Sequence, residues 1–557
     1  MTRSGITRDN GTTELQARPL VTIQQGQIEG LWLDTDTGPL ATFRGIPFAA
    51  PPIGPLRWAP PEKPSAWAGI RDGSQFGARA MQNPAPSIFT KEMIKRHGWP
   101  EEKTQRAIKK FEALPQLPIS EDCLFLNVTT PEIAPTEARP VMVWIHGGSH
   151  QSGTGSLAAY QSLKLPAEGI VLVTINYRLG VFGYMAHPRL SEADPNGVSG
   201  NYGILDQIAA LEWVTANISA FGGDPANITI FGQSAGAQAV SELMASPLAD
   251  GLYQKAILQS GVYSWNPTEL KNGFRGHPSG EQMGVNFMRQ NNLATSEASI
   301  DDLRNIDADD LLHAALTDTE HLGKFLPLAD GYVQPARLWN LINDNQLAPV
   351  PILLGYNGDE GSLFYEWYNR PTRYDYDFPD APDARLAHFK QVFGPDADSL
   401  IADYGFDQFS ARQQTETDML GDDSYGVHTR LLADSHANRK LPVWIYHFRR
   451  SPSLPEQTVN AYHSAEIPFV FDLHGTAPLT PADQAITDHM TGYWLNFAKT
   501  ASPNGPGLTD WPAYSPDQKT WLIFDKEIHT EENVRKRKLD ALESGLQRLM
   551  TNAANER

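Results

Sequence analysis

Cysteine is all but absent: the 557 residues contain one, Cys123. An intramolecular disulfide is excluded, and the fold must rest on its apolar core alone. Cations are short as well, with 45 Lys and Arg against 65 Asp and Glu and a formal net charge of −20. Such a surface repels nucleic acid and anionic membranes, and it favours solubility. No apolar run reaches the length of a membrane span; the longest, around 169–175, suits a strand. The first twenty residues lack the apolar segment of a secretory signal. A cytoplasmic, reducing compartment is the expectation that fits these absences. Internal repeats and low-complexity tracts are missing too, which excludes a solenoid or a largely disordered chain.

What is present points to a large globular body. Hydrophobic residues make up 41% and aromatics 10% of the chain, well inside the globular range. Residues 1–18 are read as a flexible tail. Val21 to Leu33 alternates like a strand pair around Gly26, and Phe43 to Pro52 reads as a proline-fixed surface segment. Glu101 to Leu114 has Ile108, Phe111 and Leu114 at helical spacing. From Cys123 onward short apolar runs alternate with helical patterns. Strands are expected at 124–128, 141–145, 170–175, 228–231, 255–259, 352–355 and 443–448, and a long helix over 203–221. This alternation predicts the α/β class, a mostly parallel central sheet with helices on both faces. One catalytic domain is expected over 19–530, with helical insertions at about 264–341 and 371–440. From 531 to 557, Leu539, Leu542, Leu546 and Leu549 recur at helical spacing, an amphipathic helix expected to dock on its own chain.

The stretch with the sharpest chemical content is Gly232-Gln233-Ser234-Ala235-Gly236. It follows an apolar strand and precedes a helix-prone run, the strand–turn–helix setting of a nucleophile elbow. A serine needs a base to take its proton, and the base needs an acid to orient it. On this architecture the acid and then the base follow the serine in the chain. Tyr356-Asn357-Gly358-Asp359-Glu360-Gly361, just past a strand, offers two carboxylates between which the local sequence does not choose. His463, on the last loop after the sheet, is the base candidate among 15 histidines. Developing oxyanion charge calls for aimed backbone N–H groups. The small-residue loop His146-Gly147-Gly148-Ser149 and the N–H of Ala235 are placed to supply them.

With these residues assembled, the chain resembles the type-B carboxylesterase family, which includes cholinesterases and bacterial para-nitrobenzyl esterases. The resemblance runs from about Val21 to Thr530. It rests on Phe43 to Pro52, Glu121 to Val128, Gly200 to Gly203, Ala220 to Pro225, the elbow, Leu258 to Gly261, Asp359 to Gly361, His463 to Phe471 and Trp494 to Thr500. It implies an α/β-hydrolase fold with helical insertions over the active site, and hydrolysis of carboxylic esters through an acyl-enzyme. It also implies the triad Ser234, Glu360 and His463, with oxyanion donors Gly148, Ser149 and Ala235. Ser260 and the buried Glu466 match family residues that support the triad from behind. Neither cofactor nor metal is implied, and the expected partner is a small-molecule ester, with no nucleic acid or membrane and a monomeric or homodimeric state.

Three departures from the family stand out. Ser149 and His150 replace the usual glycine and aromatic, and His150 is expected to line the acyl side of the pocket. Gln233 stands where cholinesterases carry a glutamate, which argues against quaternary ammonium substrates. Ala80 stands where relatives carry the partner of Cys123, so residues 80–123 form an unstapled loop, expected to be more mobile than in disulfide-bonded relatives. A lipase, thioesterase or amidase would use the same triad, and a non-catalytic adhesion protein would share the fold without it.

Overall fold

The structure is a computed structural model. It describes residues 17–85, 88–113, 116–262, 264, 268–274, 277–295, 297–318, 325–363, 387, 390, 393–405, 412–452, 456–474 and 479–554. Most of the expected tail and part of 371–440, chiefly 371–386 and 406–411, therefore lie outside the described residues.

Fourteen strands are described: β1 Leu20–Ile23, β2 Gly26–Glu29, β3 Leu31–Leu33, β4 Leu40–Pro47, β5 Ile70–Asp72, β6 Phe125–Thr130, β7 Arg139–Ile145, β8 Val171–Ile175, β9 Gly223–Gln233, β10 Lys255–Gln259, β11 Ile352–Asn357, β12 Val443–Phe448, β13 Thr520–Phe524 and β14 Ile528–Glu532. Three of them, β1, β2 and β5, form a small sheet; the other eleven form one large sheet in the order β14-β13-β12-β11-β10-β9-β7-β8-β6-β4-β3. From β8 to β13 every neighbouring pair is parallel, and the pairings at both ends are antiparallel.

The centre of this sheet is buried on both faces, which is why its strands read as continuous apolar runs. The two-residue period of a strand sorts their side chains between two cores. Val141, Val143 and Ile145 of β7 join one cluster with Val171, Val173, Ile228, Ile230 and Leu258. Met142 and Trp144 point the other way, into a cluster with Leu172, Phe231 and Ile257. Helices Tyr202–Asn217 and Ala235–Ala245 cover the first face. Helix Pro481–Thr500 covers the second, through Ile486, Met490, Tyr493, Trp494 and Phe497.

Three sequence expectations need correction. The segment Phe43 to Pro52 does not lie on the surface; its first half is β4, with Phe43 and Ile46 fully buried against β6. Pro47 suits its place as the strand's last residue. The tail does not become helical at Glu531, because Glu531 and Glu532 end β14. The helix starts at Lys536, runs to Ala554, and buries Leu539, Leu542 and Leu546 in the chain's own first core cluster. Arg430 on helix Val427–Asn438 pairs with its Asp540, at 2.7 Å, and with Glu543. The helix expected from Glu101 ends at Glu112, and Leu114 lies outside the described residues.

From β7 the chain passes first to β8 on one side and later to β9 on the other. A parallel sheet has its crevice at such a switch point, outside the C-terminal strand ends. Strand β9 ends at Gln233, immediately before Ser234, and β7 ends at Ile145, two residues before Gly147.

Candidate active site

Strand β9 ends at Gln233 and helix Ala235–Ala245 begins one residue on, so Ser234 alone makes the turn. It does so in the left-handed region, with φ 57° and ψ −129°, a conformation that costs a non-glycine residue energy and clusters at functional sites. Its N–H donates to Gln259 O (2.9 Å), and its carbonyl accepts from Gln238 N–H (2.9 Å). The glycines on either side are forced by contact. A Cβ on Gly236 would stand 2.0 Å from Ile145 O, and one on Gly232 would stand 2.5 Å from the Gly236 carbonyl.

The two adjacent carboxylates past β11 make different contacts. Glu360, 1% exposed, opens a short 3-10 turn just past β11. Its Oε1 accepts from Asn357 N–H (2.6 Å), and its Oε2 meets His463 Nδ1 at 2.5 Å. Asp359 points elsewhere: its Oδ2 accepts from Asn460 Nδ2 at 2.9 Å, on the wall of a separate cleft with His447 and Arg449. The two loops are stitched together by the 359–462 bridge and by Asp359 N–H to Ala461 O (3.0 Å).

His463 is buried, with defined contacts on both nitrogens and on one face. With Nδ1–H given to Glu360, Nε2 carries the lone pair. The amide of Gln233 donates to that Nε2 at 3.2 Å. The ring of Tyr425 stacks on the imidazole at 5.0 Å between centroids and 25° between planes. Behind the loop, Glu466 is fully buried; its Oε1 accepts from Gln259 Nε2 (3.0 Å) and its Oε2 from Asn357 Nδ2 (2.6 Å). Burial pushes its carboxyl up, the two amide bonds pull it back, and the charge of Glu360 raises it again. Trp494 Nε1 anchors Gln259 through its Oε1 at 3.0 Å.

The loop after β7 runs alongside the elbow. A Cβ on Gly147 would stand 3.1 Å from Ser234 Cβ. Gly148, Ser149 and His150 all have positive φ, at 116°, 57° and 56°. The turn is closed by Gln151 and Ser152 N–H on Gly148 O, at 2.9 and 3.0 Å. Among the described residues, the N–H groups of Gly148, Ser149 and Ala235 donate to no protein acceptor. Ser260, at the end of β10, is fully buried with φ 50°, and its hydroxyl has no partner among the described residues.

His150 does not line an open pocket. It is fully buried beneath the loop, with Nδ1 3.1 Å from the Tyr184 hydroxyl and its ring edge-on to Tyr184 and Tyr177. Burial pushes its imidazole down to about 3, and that of His146, stacked on Tyr177, down to about 4. Both rings are therefore neutral, space-filling supports of the loop.

The sequence reading missed three residues of this site. Gln259 and Asn357 sit inside motifs already noted, and the signal was an amide at the very end of a strand. Tyr425 gave no signal, because it lies on a π turn, Asp422–Gly426, that breaks the helical phase. Among the described residues no group of three or more His, Cys, Asp or Glu could hold a metal ion. No helix there is long and apolar enough to cross a membrane.

Residues 17–542 match the family model described as the Carboxylesterase family. The chain is 32% identical over 507 residues to a fumonisin B1 esterase of Sphingopyxis macrogoltabida, covering 88% of this chain and 84% of that one. It is 33% identical over 536 residues to a para-nitrobenzyl esterase of Bacillus subtilis, covering 94% and 98%. Its fold superimposes on the crystal structure of a carboxylesterase from Geobacillus stearothermophilus with a TM-score of 0.75, at 30% identity and over 94% and 100% of the two chains.

Proposed function

The chain belongs to the carboxylesterase family and is a carboxylic ester hydrolase with the α/β-hydrolase fold, and from that premise we propose that Ser234, Glu360 and His463 carry its chemistry. The observation that supports this reading most directly is the 2.5 Å contact between Glu360 Oε2 and His463 Nδ1. It makes Nε2 the accepting nitrogen, held by the Gln233 amide until it takes the proton of Ser234.

In this reading His463 takes the Ser234 proton as Oγ attacks the ester carbonyl. Charge on the carbonyl oxygen develops against the N–H groups of Gly148, Ser149 and Ala235. Those donors have no other acceptor to give up, so little reorganisation opposes the step. Collapse of the tetrahedral intermediate expels the alcohol, which takes the proton from His463. Water then attacks the acyl-serine with His463 again as base, and the carboxylic acid leaves. Glu360 fixes the imidazole tautomer and stabilises the imidazolium. Gln259, Asn357 and Glu466 hold the loop that carries it. The substrate class is small-molecule carboxylic esters.

The test is the burst and steady-state release of para-nitrophenol from a panel of para-nitrophenyl esters, with wild type and Ser234→Ala side by side. The expected outcome is turnover by the wild type, covalent labelling of Ser234 by an organophosphonate, and loss of both in the variant. Equal activity in the two proteins would place the chemistry elsewhere.

A further inference from the structure

Tyr425 is not part of any motif read from the sequence, yet its ring lies on the face of the His463 imidazole. It reaches that position from a π turn inserted between helices Arg412–Gly421 and Val427–Asn438. Such turns widen the helix by one residue, re-aim the side chains they carry, and recur at functional sites. This one is pinned from three directions. Asp422, at its start and fully buried, binds Arg535 Nε (2.9 Å), the Tyr404 hydroxyl (2.5 Å) and the Tyr356 hydroxyl (3.0 Å). Tyr356 belongs to β11, the strand that leads to Glu360, and Arg535 leads into the C-terminal helix. At the turn's end, Gly426 is packed so closely that a Cβ would stand 2.9 Å from the Tyr356 ring and 3.1 Å from Leu539.

We propose that Tyr425 is a positioning residue for His463, held in register by a π turn that Asp422 ties to the C-terminal helix through Arg535. The inference rests on the reading of His463 as the base. Glu360 and Gln233 grip the two ring nitrogens, which by itself does not fix tilt about the line between them, and the Tyr425 face opposes that tilt. The same face attracts the imidazolium that forms when Ser234 gives up its proton. Among the described residues, Glu360 faces the imidazole at Nδ1, Gln233 at Nε2, Tyr425 on the ring and Glu466 behind the loop.

The test compares wild type with Tyr425→Leu, Tyr425→Phe, Arg535→Gln and His463→Ala, with each variant's fold checked by circular dichroism and thermal melting. Tyr425→Leu is expected to lower kcat by between about twofold and thirtyfold, the range of one aromatic–cation contact, with KM little changed. Its acid limb of kcat/KM should move to lower pH, since the imidazolium loses a stabilising face. Tyr425→Phe keeps the face and should restore both values. Arg535→Gln, remote from the ester, should reproduce part of the kcat loss. A folded Tyr425→Leu with wild-type kcat and acid limb overturns the inference, as does a Tyr425→Phe as impaired as the leucine variant. His463→Ala separates the two levels: an active alanine variant would overturn the base assignment itself.

Discussion

Gln233 offers the sharpest quantitative test of the site's electrostatics. Its amide nitrogen lies 3.2 Å from His463 Nε2, so Gln233→Glu would set a carboxylate against the nitrogen proposed to take the serine proton. At that distance the Coulomb attraction for an imidazolium is about 5 kcal/mol at an effective dielectric of about 20, and about 1.3 kcal/mol in bulk water. Ser234, next door, is only half-buried, so water reaches this corner and an intermediate value of about 2.7 kcal/mol is appropriate. That equals about 2 pKa units. The sign follows from which form gains. A negative neighbour favours the protonated ring, so more imidazole is charged at neutral pH and less base is free. The assay is kcat/KM for a para-nitrophenyl ester from pH 5 to 9 in both proteins, corrected for spontaneous hydrolysis. The acid limb of Gln233→Glu should lie about 2 units higher, while the high-pH plateau stays within a few fold of wild type. An acid limb that does not move would refute the placement of residue 233 against the base.

Two further substitutions test the neighbouring elements. Ala80 and Cys123 line one small buried cavity together with Leu179 and Phe182, so Ala80→Cys should form a disulfide closing the 80–123 loop. Loop entropy alone sets that stabilisation at about 4 kcal/mol; two free thiols under oxidising conditions, or a Tm indifferent to reductant, would contradict it. Ser149 holds φ 57°, so Ser149→Gly should relieve about 1 kcal/mol of backbone strain and raise Tm by about 1 °C in a chain of this length. Because the backbone N–H proposed to meet the oxyanion remains, ester turnover should be unchanged, and a tenfold loss would assign a role to the serine side chain.

How much of this was legible beforehand follows from what a local pattern encodes. The central strands β6 to β12 were readable because double-sided burial demands unbroken apolar runs. Strand β4 was missed because Pro47, Pro51 and Pro52 made the stretch look like a fixed loop, although proline is tolerated at a strand's end. Strands β13 and β14 were missed because their partners, β12 and each other, come only with the assembled edge of the sheet. At the site, Ser234 and His463 could be picked from context, but Asp359 and Glu360 are adjacent carboxylates with the same local surroundings. Only the loop geometry turns one toward the imidazole and the other toward Asn460. The contacts of Gln233 and Tyr425 with His463 join residues 230 and 38 positions apart (463 − 425 = 38), beyond any periodicity.

The environment of the imidazole also gives a physical reason for glutamine at position 233. Two carboxylates already serve this loop: Glu360 on Nδ1, and Glu466 behind it, buried and held by Gln259 and Asn357. Each raises the cost of a further negative charge, as the push of Glu360 on the Glu466 carboxyl already shows. A third carboxylate at 233 would either be protonated by its neighbours or would clamp the imidazole in its charged form. Glutamine avoids both outcomes. It fills the same space, offers a donor that only the neutral base can accept, and leaves the ring free to release that bond when the serine proton arrives. Gln233→Glu combined with Glu466→Gln should therefore recover part of the lost neutral-pH activity, because removing one negative charge offsets adding another. A double variant no more active at neutral pH than Gln233→Glu alone would mean that the charge of Glu466 does not act on the imidazole.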